Sequence, residues 1–260
     1  HKHGHGAVDL LDAIAQSCDV FFYEIALKTG INNIAKISRE FGLGLPTGIN
    51  LPGEKSGLIP DRKWKLDIKK QVWRPGETII AGIGQGYVLA TPIQLALMTA
   101  RIANGGKKIK PTLLKSPILQ APNANSVKVS EKNLNIIKRA MEKVSLDEFG
   151  TGRNFRLGIK GVEMAGKTGT VQVRRISTKE RESEEGIIKN EDRIWEWRDH
   201  ALYVGYAPMD KPRYAISVIV EHGGSGSSKA GPIARDIMEA TLTDDPTKFI
   251  PKNPIKKPLI

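Results

Sequence analysis

Gly166-Lys167-Thr168-Gly169-Thr170-Val171-Gln172-Val173 changes the rhythm of the chain. Upstream, apolar residues recur every three or four positions. Here the pattern switches to alternation, which predicts a strand. Two further strands are predicted downstream, at 201–206 and 214–221. The intervening 174–199 stretch is very polar, mixed in sign and nearly neutral, and reads as a mobile excursion between antiparallel strands. After Gly223-Gly224-Ser225-Gly226 a last helix is expected over 230–242, then a loosely ordered Pro- and Lys-rich tail over 244–260.

Working back from that strand, the segments are helical. From Ala7 to Lys28 the apolar residues Leu10, Leu11, Ile14, Val20, Phe21 and Ile25 keep helical spacing, with Gly30 as the stop. Ser17-Cys18-Asp19 interrupts this run and predicts a junction between two helices, with Ser17 or Asp19 as cap of the second. A short helix is expected over 31–41, followed by a loop punctuated by Pro and Gly over 47–65. Thr91 as N-cap, Pro92 at the first helical position and Gln94 closing a capping box predict a helix running to Ala103. Residues 107–130 read as short extended pieces, and 130–144 as another amphipathic helix. Helices first, then adjacent strands and a closing helix, define an α+β fold and not a repeating βαβ unit.

Composition narrows the functional classes. The chain of 260 residues can bury a sizeable core, and its formal charge of +12 raises nucleic acid, an anionic membrane surface or an acidic polymer as partners. The basic residues are scattered, as at Lys69-Lys70 and Lys107-Lys108, without the dense basic element of a nucleic-acid reader, so nucleic acid is set aside. A single cysteine, Cys18, excludes an internal disulfide. No apolar run approaches the roughly 20 residues that span a bilayer, and no signal peptide opens the sequence.

The strongest chemical candidate is Lys167-Thr168-Gly169-Thr170. Lys28-Thr29-Gly30 repeats the tripeptide at a predicted helix end, where Lys and Gly suit a C-terminus. Only the second copy opens a strand, and Met164-Ala165-Gly166 before it is small enough for a ligand to approach. Taken alone, Lys167 is a solvated strand-end lysine, and Ser17 and Asp19 are helix caps. Gly82-Ile83-Gly84-Gln85-Gly86 lacks the G-K-[ST] ending of a phosphate cradle and reads as a structural turn. Asp199-His200 has no serine or cysteine nucleophile placed to use it, and His222 reads as loop.

Together, and in this order, Gly4-His5-Gly6, Ser17-Cys18-Asp19-Val20-Phe21-Phe22-Tyr23, Gly82-Ile83-Gly84-Gln85-Gly86, Ala90-Thr91-Pro92-Ile93-Gln94, Gly166-Lys167-Thr168-Gly169-Thr170 and Gly205-Tyr206-Ala207-Pro208 resemble the class B penicillin-binding proteins of the elongation type. The resemblance runs from residue 4 to about 242. It implies a transpeptidase fold, a five-stranded antiparallel sheet flanked by helices. This chain would supply three strands, with a helical subdomain over about 1–160 and a sheet subdomain over about 161–243. It implies a D,D-transpeptidase that cross-links peptidoglycan stem peptides through a serine acyl-enzyme and that β-lactams inhibit. Catalytic roles would fall to Ser17, Asp19 and Lys167. Thr168, Gly169 and Thr170 would bind substrate, the Thr170 N–H giving half of an oxyanion hole.

One departure is decisive: no serine in the chain has a lysine three positions later. The resemblance places that S-x-x-K before His1, so the nucleophile, its lysine and a membrane anchor are expected to be missing, and this chain alone is expected to be inactive. Some relatives carry zinc near the S-x-D motif, which would make His5 and Cys18 ligands, although two further carboxylates would also lie upstream. On the residues alone, His5 is a loop histidine, Cys18 is semi-buried, and no cofactor is required. The implied setting is the periplasmic side of the bacterial inner membrane, beside a glycan polymerase and other elongation-complex proteins. Two alternatives stand beside it: a serine β-lactamase or β-lactam sensor, and a non-catalytic basic interaction module.

Overall fold

The computed structural model describes residues 4–113, 125–174 and 188–243. The tail from residue 244 and residues 175–187 of the polar excursion lie outside these residues. The order is α1 (Leu10–Ala15), α2 (Asp19–Thr29), α3 (Ile31–Glu40), α4 (Arg62–Lys69), α5 (Pro75–Gly82), α6 (Pro92–Ala103), α7 (Glu131–Leu146), β1 (Ala165–Val171), β2 (His200–Ala207), β3 (Tyr214–Val220) and α8 (Gly231–Leu242). The strands form one antiparallel sheet in the order β1-β2-β3, with β1 at an edge.

Local chemistry accounts for the helix starts. Thr91 Oγ1 accepts from Gln94 N and Gln94 Oε1 accepts from Thr91 N, the reciprocal pair read from sequence. Ser130 caps α7 by accepting from Asn133 N. Helix α4 corrects the sequence reading, which carried a loop through residue 65, and α5 is a helix that reading did not assign. Asp61 caps α4 by accepting from Trp64 N at 2.8 Å, and Glu77 reaches back to Arg74 N at 2.8 Å to cap α5. Pro75 at the first position of α5 starts that helix, although the Pro75-Gly76 pair reads as a turn.

Both sheet faces are covered. On one, Tyr203 and Ala201 pack with Phe155, Met164 and the α8 residues Ala234 and Met238. On the other, Ala165 and Tyr206 meet Ala103 of α6 and Met141 of α7. A third cluster, Ile31, Trp73 and Ala81, ties the N-terminal helices together. Helix α2 leaves Val20, Ile25 and Leu27 exposed.

Two glycines permit the close approaches that shape β1. A Cβ on Gly226 would lie 2.3 Å from Leu202 O and 2.4 Å from Gly169 O, so the 226–230 turn crosses directly against the β1-β2 pair. A Cβ on Gly166 would lie 2.0 Å from the Tyr203 hydroxyl. The second contact corrects an expectation: Met164, Ala165 and Gly166 are small because the core packs on them, not because a ligand approaches there.

The described part of the excursion is also not a bare loop. Two short 3-10 turns, Asn190–Asp192 and Trp195–Trp197, flank Arg193, whose Nη1 lies 3.2 Å from Asp199 Oδ2 in a buried pair. Asn190 also donates to Asp199 Oδ2, at 3.0 Å. Asp199 is therefore structural, while His200 Nδ1 accepts from His222 N.

Candidate active site

Ser17 and Lys167, 150 residues apart in sequence, meet at the outer edge of β1, where Lys167 Nζ donates to Ser17 Oγ at 2.9 Å. The α1–α2 junction presents the serine. Helix α1 packs on α7, and Lys143 Nζ holds Asp12 at 2.5 Å and Asp147 at 3.3 Å. Cys18 N then bonds back to Ala13 O, closing the turn with Ser17 in the left-handed region at φ 55°. A non-glycine residue held there costs about 1–3 kcal/mol, supported by the buried Cys18 and Ala15 on either side.

This geometry corrects the capping assignment. Cys18 occupies the N-cap of α2 and no side chain caps it, while Asp19 is the first helical residue. Ser17 does not cap because its hydroxyl faces Lys167 instead. Asp19 acts through its field: its carboxylate favours the charged form of Lys167.

Lys167 is half-buried, but its ammonium is enclosed by protein. Desolvation pushes it down from 10.5 to about 8, with Asp19 opposing the change. Besides Ser17 it donates to Thr168 O at 2.7 Å. A lysine so placed exchanges its proton far nearer neutrality than a solvated one, and its partner is a hydroxyl capable of passing the proton on.

The neighbouring strand residues divide between the two sides. Thr168 is buried, and its hydroxyl pairs with Thr151 Oγ1 at 2.8 Å; Thr151 N in turn donates to Ala15 O. Thr170 is exposed. Gly169 is the point at which Gly226 crosses the strand.

Gln85 was missed in the sequence reading, which took its segment for a turn. Its Nε2 donates to Thr170 O at 2.9 Å and its Oε1 accepts from Gln172 N at 3.4 Å. A lone amide side chain between glycines was the available signal.

A cavity of about 520 Å³ opens beside this cluster, lined by His5, Gln16, Thr151, Arg153 and Ser227 among others. It does not include Ser17 or Lys167; Gln16 and Thr151 are its links to them. Of the two candidate zinc ligands, His5 lines the cavity and Cys18 is buried in the helix junction. Zinc takes four ligands, and among the described residues no three His, Cys, Asp or Glu side chains are grouped to hold a metal. These residues do not form a zinc site by themselves.

Residues 1–239 match the family profile of the penicillin binding protein transpeptidase domain. The chain belongs to the penicillin-binding protein transpeptidase family. Among its relatives, the peptidoglycan D,D-transpeptidase MrdA of Haemophilus influenzae is 39% identical over 252 residues, 93% of this chain and 37% of that protein. MrdA of Acinetobacter baumannii is 38% identical, with 89% of this chain and 35% of that protein covered. A crystal structure of Pseudomonas aeruginosa PBP2 in complex with WCK 5153 matches at a TM-score of 0.79 and 37% identity, covering 96% of this chain and 51% of that one. A complex between PBP2 and MreC from Helicobacter pylori matches at a TM-score of 0.75 and 35% identity, covering 92% of this chain and 41% of that one. The chain thus spans little more than a third of the MrdA sequences it matches, and it shares the α+β fold of the PBP2 structures.

Proposed function

We propose that this chain is the C-terminal part of a peptidoglycan D,D-transpeptidase of the MrdA type, and that it contributes the proton-transfer and substrate-binding half of the active site. The observation that carries this is the Lys167–Ser17 hydrogen bond at 2.9 Å, between two motifs that otherwise lie far apart in sequence.

In this reading a serine N-terminal to His1 attacks the carbonyl of a D-Ala-D-Ala amide. An ester bond forms at that carbon, the C–N bond breaks, and the leaving amine takes a proton relayed through Ser17. Lys167 supports the relay, since a proton held at about 8 moves readily near neutrality. Asp19 keeps enough attraction for the proton to return. The Thr170 N–H supplies one donor to the oxyanion, and the Thr170 hydroxyl is the exposed one available to a substrate carboxylate. Thr168 acts behind it, holding the strand through Thr151. An amine from a neighbouring stem peptide then attacks the ester and releases the serine.

The parent protein would work at the periplasmic face of the inner membrane, anchored by a segment before His1, with a glycan polymerase and an MreC-like protein as partners. Among the described residues no helix is long and apolar enough to cross a membrane. No cofactor is needed for this chemistry. A zinc at His5 and Cys18 would require ligands from outside the described residues.

The test is turnover of a D-Ala-D-Ala stem peptide by the chain extended N-terminally through its S-x-x-K, with and without Lys167→Ala. The proposal expects cross-linked or hydrolysed peptide from the extended chain and at least a hundredfold loss in the variant, as for other proton-transfer groups (about 10²–10⁴). Rapid cephalosporin turnover without action on the peptide would favour a β-lactamase. Salt-sensitive polymer binding indifferent to Lys167 would favour an interaction module.

A second reading rests on the same bond. An exposed serine hydrogen-bonded to a lysine of lowered pKa is itself a nucleophile–base pair, so Ser17 is a candidate for direct acylation.

A further inference from the structure

The outer edge of β1 is more fully committed than an edge strand needs to be. In an antiparallel ladder the N–H and C=O of one residue point to the same side. Gln85 reaches Thr170 O and Gln172 N, so residues 168, 170 and 172 turn their backbone groups away from β2. Along that edge, Thr168 O accepts from Lys167 Nζ and Thr170 O from Gln85 Nε2. Between two engaged carbonyls lies the N–H of Thr170, a donor. The edge therefore offers the Thr170 N–H as a free-pointing donor to a ligand oxygen.

The glutamine is well placed to fix this arrangement. One amide supplies a donor and an acceptor, which here engage positions two residues apart as a neighbouring strand would. It stands between Gly84 and Gly86, in the turn that ends α5. Helix α5 packs on α2, and the start of α2 carries the Ser17-Cys18-Asp19 motif. The serine motif and β1 are thus joined twice, once by Lys167 and once through α5 by Gln85.

We propose that Gln85 is a positioning residue: it braces the outer edge of β1 and sets the angle of the Thr170 N–H toward a carbonyl or oxyanion ligand. The inference rests on the transpeptidase reading for its ligand, but the clamp itself does not. An oxyanion donor acts only where it points, and a displacement of about 1 Å can cost about a hundredfold in rate.

Two measurements separate the parts. On this chain, amide hydrogen exchange at Gln172 is compared with that of Gln85→Met, which keeps the volume and loses both bonds. Exchange about fivefold to tenfold faster is expected, the equivalent of one net hydrogen bond; unchanged exchange would remove the clamp. On the N-terminally extended chain, penicillin acylation of Gln85→Met is expected to be about tenfold to a hundredfold slower, with non-covalent affinity unchanged.

Gln85→Glu supplies a readout that a purely structural role would not move. Its carboxylate cannot donate to Thr170 O, whereas its protonated acid can. Its acylation rate relative to wild type should therefore rise as pH falls toward about 4.3. A rate like wild type in Gln85→Met, or a loss with no pH-dependent recovery in Gln85→Glu, would overturn the proposal. Failure of the extended wild-type chain to acylate would sink the transpeptidase reading, and the exchange result would still decide the clamp.

Discussion

Replacing Lys167 by Met should change how stability depends on pH, and the direction follows from the site. Burial lowers the folded-state value from 10.5 to about 8. Below about 8 both folded and unfolded chains hold the proton, and the folded state carries the full penalty of an enclosed ammonium. Between about 8 and 10.5 the unfolded chain binds more protons, so stability from this group rises with pH. Above 10.5 the penalty is gone. The displacement corresponds to about 3 kcal/mol, an upper limit because water reaches part of the side chain. Thermal or urea unfolding of both proteins from about pH 6 to about pH 11 isolates the group, since other lysines and tyrosines cancel in the difference. Lys167→Met should gain most at neutral pH, up to about 6–12 °C in Tm for a domain of this size, and lose that advantage through the window. Parallel curves for the two proteins would refute the claim that the ammonium is held in a desolvated site.

Two further substitutions probe how the strand is held. Thr151→Val leaves the buried Thr168 hydroxyl without its partner and should lower stability by about 1–3 kcal/mol in urea unfolding, whereas Thr151→Ser should lose much less. Gly226→Ala forces a methyl within 2.4 Å of two backbone carbonyls. It should destabilise by more than about 2 kcal/mol and broaden the NMR resonances of β1 and β2 first, with a wild-type Tm counting against the crossing.

Much of the fold was legible because its signals are local. The Thr91-Pro92-Gln94 start of α6, the junction at Ser17-Cys18-Asp19 and the alternation from Gly166 onward each specify a conformation within a few residues. What escaped depends on distant neighbours. Helix α5 opens with Pro75-Gly76, which reads as a turn until packing on α2 is known. Helix α4 contributes a buried Lys65, and its partner Glu77 lies on α5, so the segment looks too polar to be helical. The site divides in the same way. Ser17, Asp19 and Lys167 are candidates that the residue pattern singles out, but the contact between Ser17 and Lys167 is a tertiary fact. The assignment of Ser17 as a cap failed because the junction twists it to a left-handed conformation facing Lys167. Gln85 was invisible for a related reason: its partners are backbone atoms 85 and 87 residues away, which no residue pattern reveals.

The central claim, that Ser17 and Lys167 serve a nucleophile supplied by preceding sequence, is tested most directly by intact-protein mass after incubation with a fluorescent penicillin. The comparison is between this chain and one extended N-terminally through the S-x-x-K. The account predicts a single penicilloyl adduct on the extended chain, located at the serine of that motif, and none on this chain. An adduct on this chain at Ser17 would contradict it and make the Ser17–Lys167 pair the nucleophile and base.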